Sequence, residues 1–197
     1  MIRSYQSTEG TIKQVLGNDF LALKPSSYTL SESLDDGGCE LKVVLETSGA
    51  GDGCVEFSGR GVGLVDALFA GFIEYYACEY PSLKTLAVQG FEVRGNMKTG
   101  HARRTDAEVA VVLSVTNSEQ EKFVFEDGDR SLVAATCSVV VHMAEYFINS
   151  ERAYITLYRA LDDAKRRNRQ DLVDSFQAQL AEVVKSTSYS EVIERLS

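Results

Sequence analysis

The segment Gly59–Gly63, with the sequence GRGVG, stands directly before an apolar helical pattern and offers the clearest candidate chemistry in this chain of 197 residues. Glycines let a ligand approach the backbone, and the N-terminus of the following helix presents free N–H groups and a partial positive charge. A carboxylate or a phosphate would suit such a place. The alternative is a tight strand-to-helix turn in which Asp66 complements the helix dipole, and the sequence leaves both interpretations open.

A second segment, Asp127–Ser131 (DGDRS), also precedes a helical pattern, but its charge is different. Its two carboxylates would repel an anion and attract an ammonium group. If the fold brings the two helix starts close together, one would suit an acid and the other an amine. The pair then predicts a site for a zwitterionic amino acid.

Catalysis finds little support in the residue types. The two histidines, His101 and His142, lie 41 positions apart, and the chain has no nucleophile elbow, phosphate loop or clustered zinc ligands. His142 lies within an apolar helical stretch, so we expect a core or interface residue. The basic stretch Lys98–Arg104 around His101 is either a solvated turn or an anion contact. We therefore predict no catalytic residue, no metal and no cofactor.

An internal repeat organises the elements that must position these segments. At an offset of 68 residues, Glu40–Leu45 aligns with Glu108–Leu113, and eight of 28 aligned positions are identical without a gap. Chance would give about two at typical residue frequencies. Each copy has two strand patterns joined by a polar turn, then a helical pattern, and we expect one further strand before each hairpin.

The predicted fold is therefore α+β, with duplicated βββα units in a pseudo-twofold relation and a C-terminal helical extension. We expect a lead-in segment at 1–27 and the duplicated domain at 28–150, with the two repeats at 28–80 and 85–149. A helical hairpin is expected within 151–197. We place the boundary near Asn149 and Ser150, where the composition changes from apolar to rich in Arg and Asp.

Composition limits the partners. Lys and Arg number 20 against 29 Asp and Glu, a net charge of −9, and the whole excess lies within residues 1–150. Such a field repels phosphate backbones, so we expect no nucleic-acid partner. No stretch reaches about 20 unbroken apolar residues, so we expect no membrane span. Four cysteines without a C-x-x-C pair, and no signal-peptide pattern, predict a reduced, cytoplasmic protein.

The segment Gly59–Ala67 (GRGVGLVDA) resembles the G-x-G-x-G-P-V-D-A signature of the C-terminal regulatory domain of 2-isopropylmalate synthases and citramalate synthases. The likeness extends over about residues 20–150. It includes the first strand of that domain at Leu23–Leu30, its central strand at Gly90–Arg94 and the start of its next strand at Thr105–Val109. Ser131–Thr136 is a degraded match to the family's second helix start.

This resemblance implies a duplicated βββα fold and a non-catalytic homodimer that binds leucine or isoleucine as a feedback inhibitor. The family's ligand contacts would fall on the following residues: Gly61, Gly63, Asp66, Phe91, Asp106 and Ala107. Leu64 replaces the expected proline, and Ser131 and Ala134 replace the acidic residues of the second helix start. The resemblance thus supports the dimer fold more strongly than the ligand specificity.

The catalytic half of that family has no counterpart here, because the chain lacks its H-x-H metal pair and is too short for a barrel of about 250 residues as well. We expect an excised regulatory fragment or a free-standing relative. The leading hypothesis is an amino-acid-sensing domain that modulates a synthase catalytic domain, within one protein or in trans. The alternative is an assembly module without a ligand. The hypothesis of an independent enzyme is supported only by the excess of Asp and Glu, to which the sequence assigns no role.

Overall fold

The computed structural model describes residues 6–35, 37–49, 53–96, 108–186, 189, 192 and 193. Within these ranges the chain forms four α-helices and six strands. The helices are α1 (Gln6–Leu16), α2 (Leu64–Tyr76), α3 (Leu132–Arg166) and α4 (Gln170–Val183). The strands are β1 (Ala22–Ser33), β2 (Gly38–Ser48), β3 (Gly53–Gly61), β4 (Ala87–Asn96), β5 (Glu108–Thr116) and β6 (Lys122–Asp129).

The strands form two antiparallel sheets that match the predicted repeats. Sheet 1 has the order β1-β2-β3 and sheet 2 the order β4-β5-β6. With α2 and α3 they make two βββα units, called here the first and the second unit. The helices begin at Leu64 and Leu132, and the preceding strands end at Gly61 and Asp129, so the offset of 68 found in the sequence holds for the elements.

Each sheet turns one apolar face toward the core, because alternate side chains of a strand point to the same side. In sheet 1, Val43 of β2 pairs with Phe57 of β3, and both are buried. In sheet 2, Leu113 of β5 pairs with Phe125 of β6 in the same way. Relative to the repeat, the pairing of β5 with β6 is shifted by two residues from that of β2 with β3. A shift of two residues leaves the same side chains facing the core. The first strand of each unit also carries a bulge, at Pro25/Ser27 in β1 and at Val88/Gly90 in β4.

Helix α3 extends well beyond the predicted end of the second repeat. It runs without interruption from Leu132 to Arg166, so the expected boundary near Asn149 and Ser150 falls inside one helix, and both residues are buried. The physical reason is that no glycine or proline occurs in this stretch to end the helix. Beyond this point α3 packs against α4.

The remaining helices pack on α3. Helix α4 returns antiparallel after a turn at Arg167–Arg169, and a small cluster of Leu161, Ala164 and Val173 joins the two. The expected helical hairpin is therefore formed by the second half of α3 and by α4. The sequence analysis gave no element for the lead-in segment, but the structure places α1 there, with Ile12 buried in the main core.

Candidate functional site

The glycine-rich segment of the first unit is not a free loop. Gly59 and Gly61 belong to β3, and only Val62 and Gly63 connect this strand to α2. A Cβ atom on Gly59 would lie 2.7 Å from the backbone nitrogen of Gly71, and one on Gly61 would lie 2.6 Å from that of Ala67. Real Cβ atoms do not approach so closely, so these glycines permit α2 to pack directly on β3. The segment Gly59–Gly63 is therefore strand at its start and a two-residue connection at its end.

Asp66 completes the tight connection between β3 and α2. Its Oδ2 accepts a hydrogen bond from the backbone N–H of Val62 at 3.0 Å. A carboxylate in the first turn also complements the helix dipole. Gly63, the N-cap residue, has extended backbone (φ −174°), and no described atom lies within 4 Å of a Cβ built on it. These contacts are those of the tight-turn alternative.

A small cavity opens where sheet 1 ends, beside Gly61. Its volume is about 300 Å³, and it is lined by Ser31, Ser33, Gly38, Cys39, Glu40, Arg60 and Gly61. Arg60 Nη2 lies 3.2 Å from Glu40 Oε1, so a guanidinium and a carboxylate of the chain itself meet in its wall. Burial, followed by the nearby charge of Glu32, raises the pKa of Cys39.

A larger cavity lies at the corresponding end of sheet 2. Its volume is about 620 Å³, and it is lined by Arg94, Gly95, Glu108, Val109, Ala110, Gly128, Asp129 and Arg130. Glu108 is the repeat counterpart of Glu40, but Gly128 stands at the counterpart of Arg60. However, β6 pairs with β5 in a register shifted by two residues, so Gly128 lies opposite Ala110 and not opposite Glu108. Glu108 forms no ion pair with another described residue. The wall offers two guanidinium groups, two carboxylates and short aliphatic side chains.

The start of α3 borders this larger cavity. Ser131 caps the helix, since its Oγ accepts a hydrogen bond from Ala134 N at 3.3 Å. Asp129 Oδ1 accepts from Ser131 N at 2.9 Å, and the hydroxyl of Tyr28 lies 3.4 Å from Ser131 Oγ. The start of α3 is thus also where β1 of the first unit contacts the second unit.

A second contact between the units lies along the outer edge of β1. The side-chain amide of Asn149 accepts a hydrogen bond from Leu21 N–H at 2.9 Å and donates one to Leu21 C=O at 2.7 Å. Glu145 Oε2 accepts from Leu23 N–H at 2.7 Å. Burial raises the pKa of Glu145, and the hydrogen bond from Leu23 opposes this shift. The sequence gives no sign of these hydrogen bonds, because each joins residues more than 120 positions apart.

The structure brings together only part of the predicted ligand contacts. Gly61 lines the smaller cavity, and Gly63 and Asp66 lie at the start of α2. Phe91 lies on β4 in the other sheet, exposed, and is not among the described residues that line either cavity. Asp106 and Ala107 lie outside the described residues.

Neither a catalytic nor a metal centre is apparent in the part of the chain described. The ring of His142 lies 5.6 Å from that of Phe125 in an edge-to-face contact beside the core, and His101 is outside the described residues. No group of three or more metal-ligating side chains gathers among the described residues. Of the cysteines, Cys54 and Cys78 are exposed and the other two are buried, all as free thiols.

By length and composition α3 could cross a membrane, and no other helix in the described ranges could. However, 67% of its most apolar window is buried inside the protein, as in a helix that belongs to a core. Comparison with known proteins gives no family, because no protein-family model and no curated protein matches this chain. The candidate function therefore depends on the geometry and on the resemblance described above.

Proposed function

We propose that this chain is a non-catalytic amino-acid-sensing and dimerisation domain that binds a branched-chain amino acid, with leucine favoured over isoleucine. The resemblance to the regulatory domain of 2-isopropylmalate synthases suggests this function, and the duplicated βββα architecture agrees with it. In this proposal it works in the cytoplasm as a homodimer, and it modulates a synthase catalytic domain in the same protein or in trans. It needs neither cofactor nor metal.

The observation that carries the proposal is the difference between the two cavities. In the first unit, the guanidinium of Arg60 lies against the carboxylate of Glu40. In the second unit, Glu108 forms no ion pair with another described residue, and it lines a cavity of about 620 Å³. We infer that the ammonium group of the ligand pairs with the carboxylate of Glu108. This volume lies in the usual range for small-molecule sites.

The remaining groups of an amino acid also have counterparts in this cavity. Arg130 supplies a cation for the carboxylate, and Val109 and Ala110 supply apolar surface for the aliphatic side chain. Asp129 adds a second carboxylate on the side of the ammonium group. This extends the prediction that the start of the second helix suits an amine. Binding would regulate a synthase by favouring one of two domain arrangements, since an effector acts only through differential affinity.

The alternative is an assembly module that binds no ligand, and one observation favours it. Of the two glycines that the resemblance assigns to a ligand, Gly61 is used here for close packing of α2 on β3, whereas Gly63 makes no such contact. Only Gly61 of that segment lies both in this packing and in a cavity wall. Under this alternative, the surfaces of the helices and strands bind partner chains, and no small ligand binds.

Isothermal titration with leucine, isoleucine, 4-methylpentanoate and 3-methylbutylamine tests the proposal. The two amino acids should bind, and each analogue, which lacks one charged group, should bind at least about tenfold more weakly. A thermal-shift screen of the twenty amino acids is a cheaper first step, because a ligand at 100 times its Kd adds about 2.7 kcal/mol of stability. No response to any amino acid would favour the assembly alternative.

Three variants locate the site. Glu108→Gln and Arg130→Gln should each weaken leucine binding by about tenfold or more. Gly63→Val is the matched control at the start of α2, where an added Cβ meets no described atom within 4 Å. Loss of binding in Gly63→Val, with binding retained in the other two, would move the site to the first unit.

A further inference from the structure

β1 and β4 are the first strands of the two units, and their outer edges differ. β4 is the terminal strand of sheet 2, and no strand pairs with its outer edge among the described residues. Its counterpart β1 is also terminal, but side chains of α3 bond to its backbone at Leu21 and Leu23. An open edge of this length is a template for pairing with another chain.

One face of β4 is apolar and exposed. Val88, Phe91 and Val93 are 38%, 39% and 45% exposed, although each pairs with a fully buried residue of β5 on the same face. Directly paired residues share a face, so these side chains extend the core face of sheet 2 beyond the cover of α3. Natural edge strands usually avoid such a surface unless a partner covers it.

The opposite face of β4 carries a charge pattern that is complementary to itself. Arg94 forms a two-point ion pair with Glu92, with distances of 3.0 and 2.9 Å, and both side chains are exposed. The regular part of the strand after the bulge is 90–96, and its midpoint is Val93. In an antiparallel pairing of two such strands centred on Val93, Glu92 lies opposite the partner's Arg94, and the partner's Glu92 lies opposite Arg94.

We propose that two copies of this chain associate through β4, edge to edge and antiparallel, about a twofold axis at Val93. The two sheets 2 then form one six-stranded sheet, with two reciprocal Glu92–Arg94 ion pairs on one face. On the other face, the two Val93 side chains meet and Phe91 lies over the partner's Gly95. The occupant is a second copy because this register matches opposite charges at both ends, which an unrelated strand would match only by chance.

This proposal rests on the homodimer part of the proposed function, and Arg94 and Gly95 of the β4 contact also line the larger cavity. A contact of seven residues per strand is smaller than a standard protein interface, so the association should depend on concentration. Sedimentation of the whole chain from micromolar to millimolar concentration should show a monomer–dimer equilibrium. A monomer throughout that range would overturn the proposal, whatever the titration with leucine shows.

Charge reversal tests the register. Glu92→Arg and Arg94→Glu should each weaken dimerisation by about tenfold or more, because each places like charges opposite one another twice. The double variant Glu92→Arg/Arg94→Glu restores both pairs and should dimerise within about threefold of the original chain. Circular dichroism checks that the variants fold. A dimer that is insensitive to both single reversals uses another surface and would also overturn the proposal.

Cross-linking gives an independent measurement. In a background of Cys54→Ser and Cys78→Ser, which removes the exposed thiols, Val93→Cys should cross-link to its own copy with a short bis-maleimide. The matched control is Tyr28→Cys, at the corresponding place on β1, where the edge is covered by α3 within the chain. Equal cross-linking of the two variants would contradict the β4 contact. Titration of the monomeric Glu92→Arg variant with leucine measures whether the amino acid still binds when the dimer is lost.

Discussion

The two βββα units share their layout but differ where each strand meets its helix. In the first unit, Gly59, Gly61 and Gly71 bring α2 onto β3 in backbone contact. At the matching positions the second unit carries Asp127, Asp129 and Val139, so its helix starts among carboxylates and beside a larger cavity. The comparison teaches that one unit is specialised for close packing and the other has retained space at the same end of its sheet.

The first strands of the two units differ in a related way. Asn149 and Glu145 of α3 bond to the backbone at the start of β1, while β4 has an exposed apolar face and an outer edge that no described strand covers. The internal asymmetry therefore divides the roles. In the first unit the backbone at the start of β1 is bonded by α3, whereas the second unit has the larger cavity and an outer edge of β4 that no described strand covers.

The largest effect is expected from Gly59→Val, which attacks the close contact of the first unit. The new side chain would collide with the backbone of Ala67 and Gly71 and force α2 away from β3. We expect a loss of more than about 4 kcal/mol in the free energy of unfolding, or failure to fold. Urea denaturation measures the change. Asp127→Val, the matched position of the second unit, should change stability by less than about 1 kcal/mol. Similar losses in both variants would contradict the contrast between the units.

The next largest effect concerns the covered edge of β1. Asn149→Ala removes the amide that satisfies both the N–H and the C=O of Leu21, and it leaves these buried groups without that partner. The expected loss is about 3 kcal/mol. Thr156→Val on an exposed part of α3 is the control, since its hydroxyl bonds only to its own helix among the contacts described. An Asn149→Ala protein as stable as this control would show that the edge needs no such cover.

A smaller effect is expected at the two helix starts. Ser131 caps α3 through its hydroxyl, whereas Gly63 at the start of α2 has no side chain for this bond. Ser131→Ala should reduce the free energy of unfolding by about 1 kcal/mol, and Gly63→Ser should not reduce it. Thermal denaturation followed by circular dichroism compares the two. A stabilised Ser131→Ala variant would mean that the cap observed at α3 does not contribute.

The smallest effect is a change in pH dependence. Because burial raises the pKa of Glu145, the folded protein holds this proton more tightly than the unfolded chain. The free energy of unfolding therefore falls as pH rises from the ordinary carboxyl value of 4.5 through the raised pKa. Glu145→Gln keeps an acceptor for Leu23 N–H but does not titrate. Its stability relative to the original chain should increase through this pH window and then become constant.

Urea denaturation from about pH 4 to about pH 8 measures this difference, and Glu56→Gln on the exposed surface of β3 is the control. If the stability difference between the Glu145→Gln variant and the original chain does not vary with pH, the carboxyl group is not desolvated by its contact with β1. That result would weaken the evidence that α3 covers this edge.

Much of the fold could be predicted because its signals are local. The offset of 68 residues and the alternating apolar positions predicted the strands, the helix starts and the α+β class. The domain boundary expected near Asn149 falls inside α3, because charge composition reports exposure, and exposure changes along α3 without a break in its backbone. For the candidate site, the sequence found the charged start of the second helix, but not the cavity beside Glu108.

The sequence by itself determined two repeated units, because the period of apolar side chains fixes which segments form strands and helices. Only the tertiary structure decided that Gly59 and Gly71 serve backbone contact, that Asn149 satisfies Leu21, and that the cavity lies in the second unit. These features depend on distances between residues far apart in the chain. A local pattern contains no information on such distances until the core has packed.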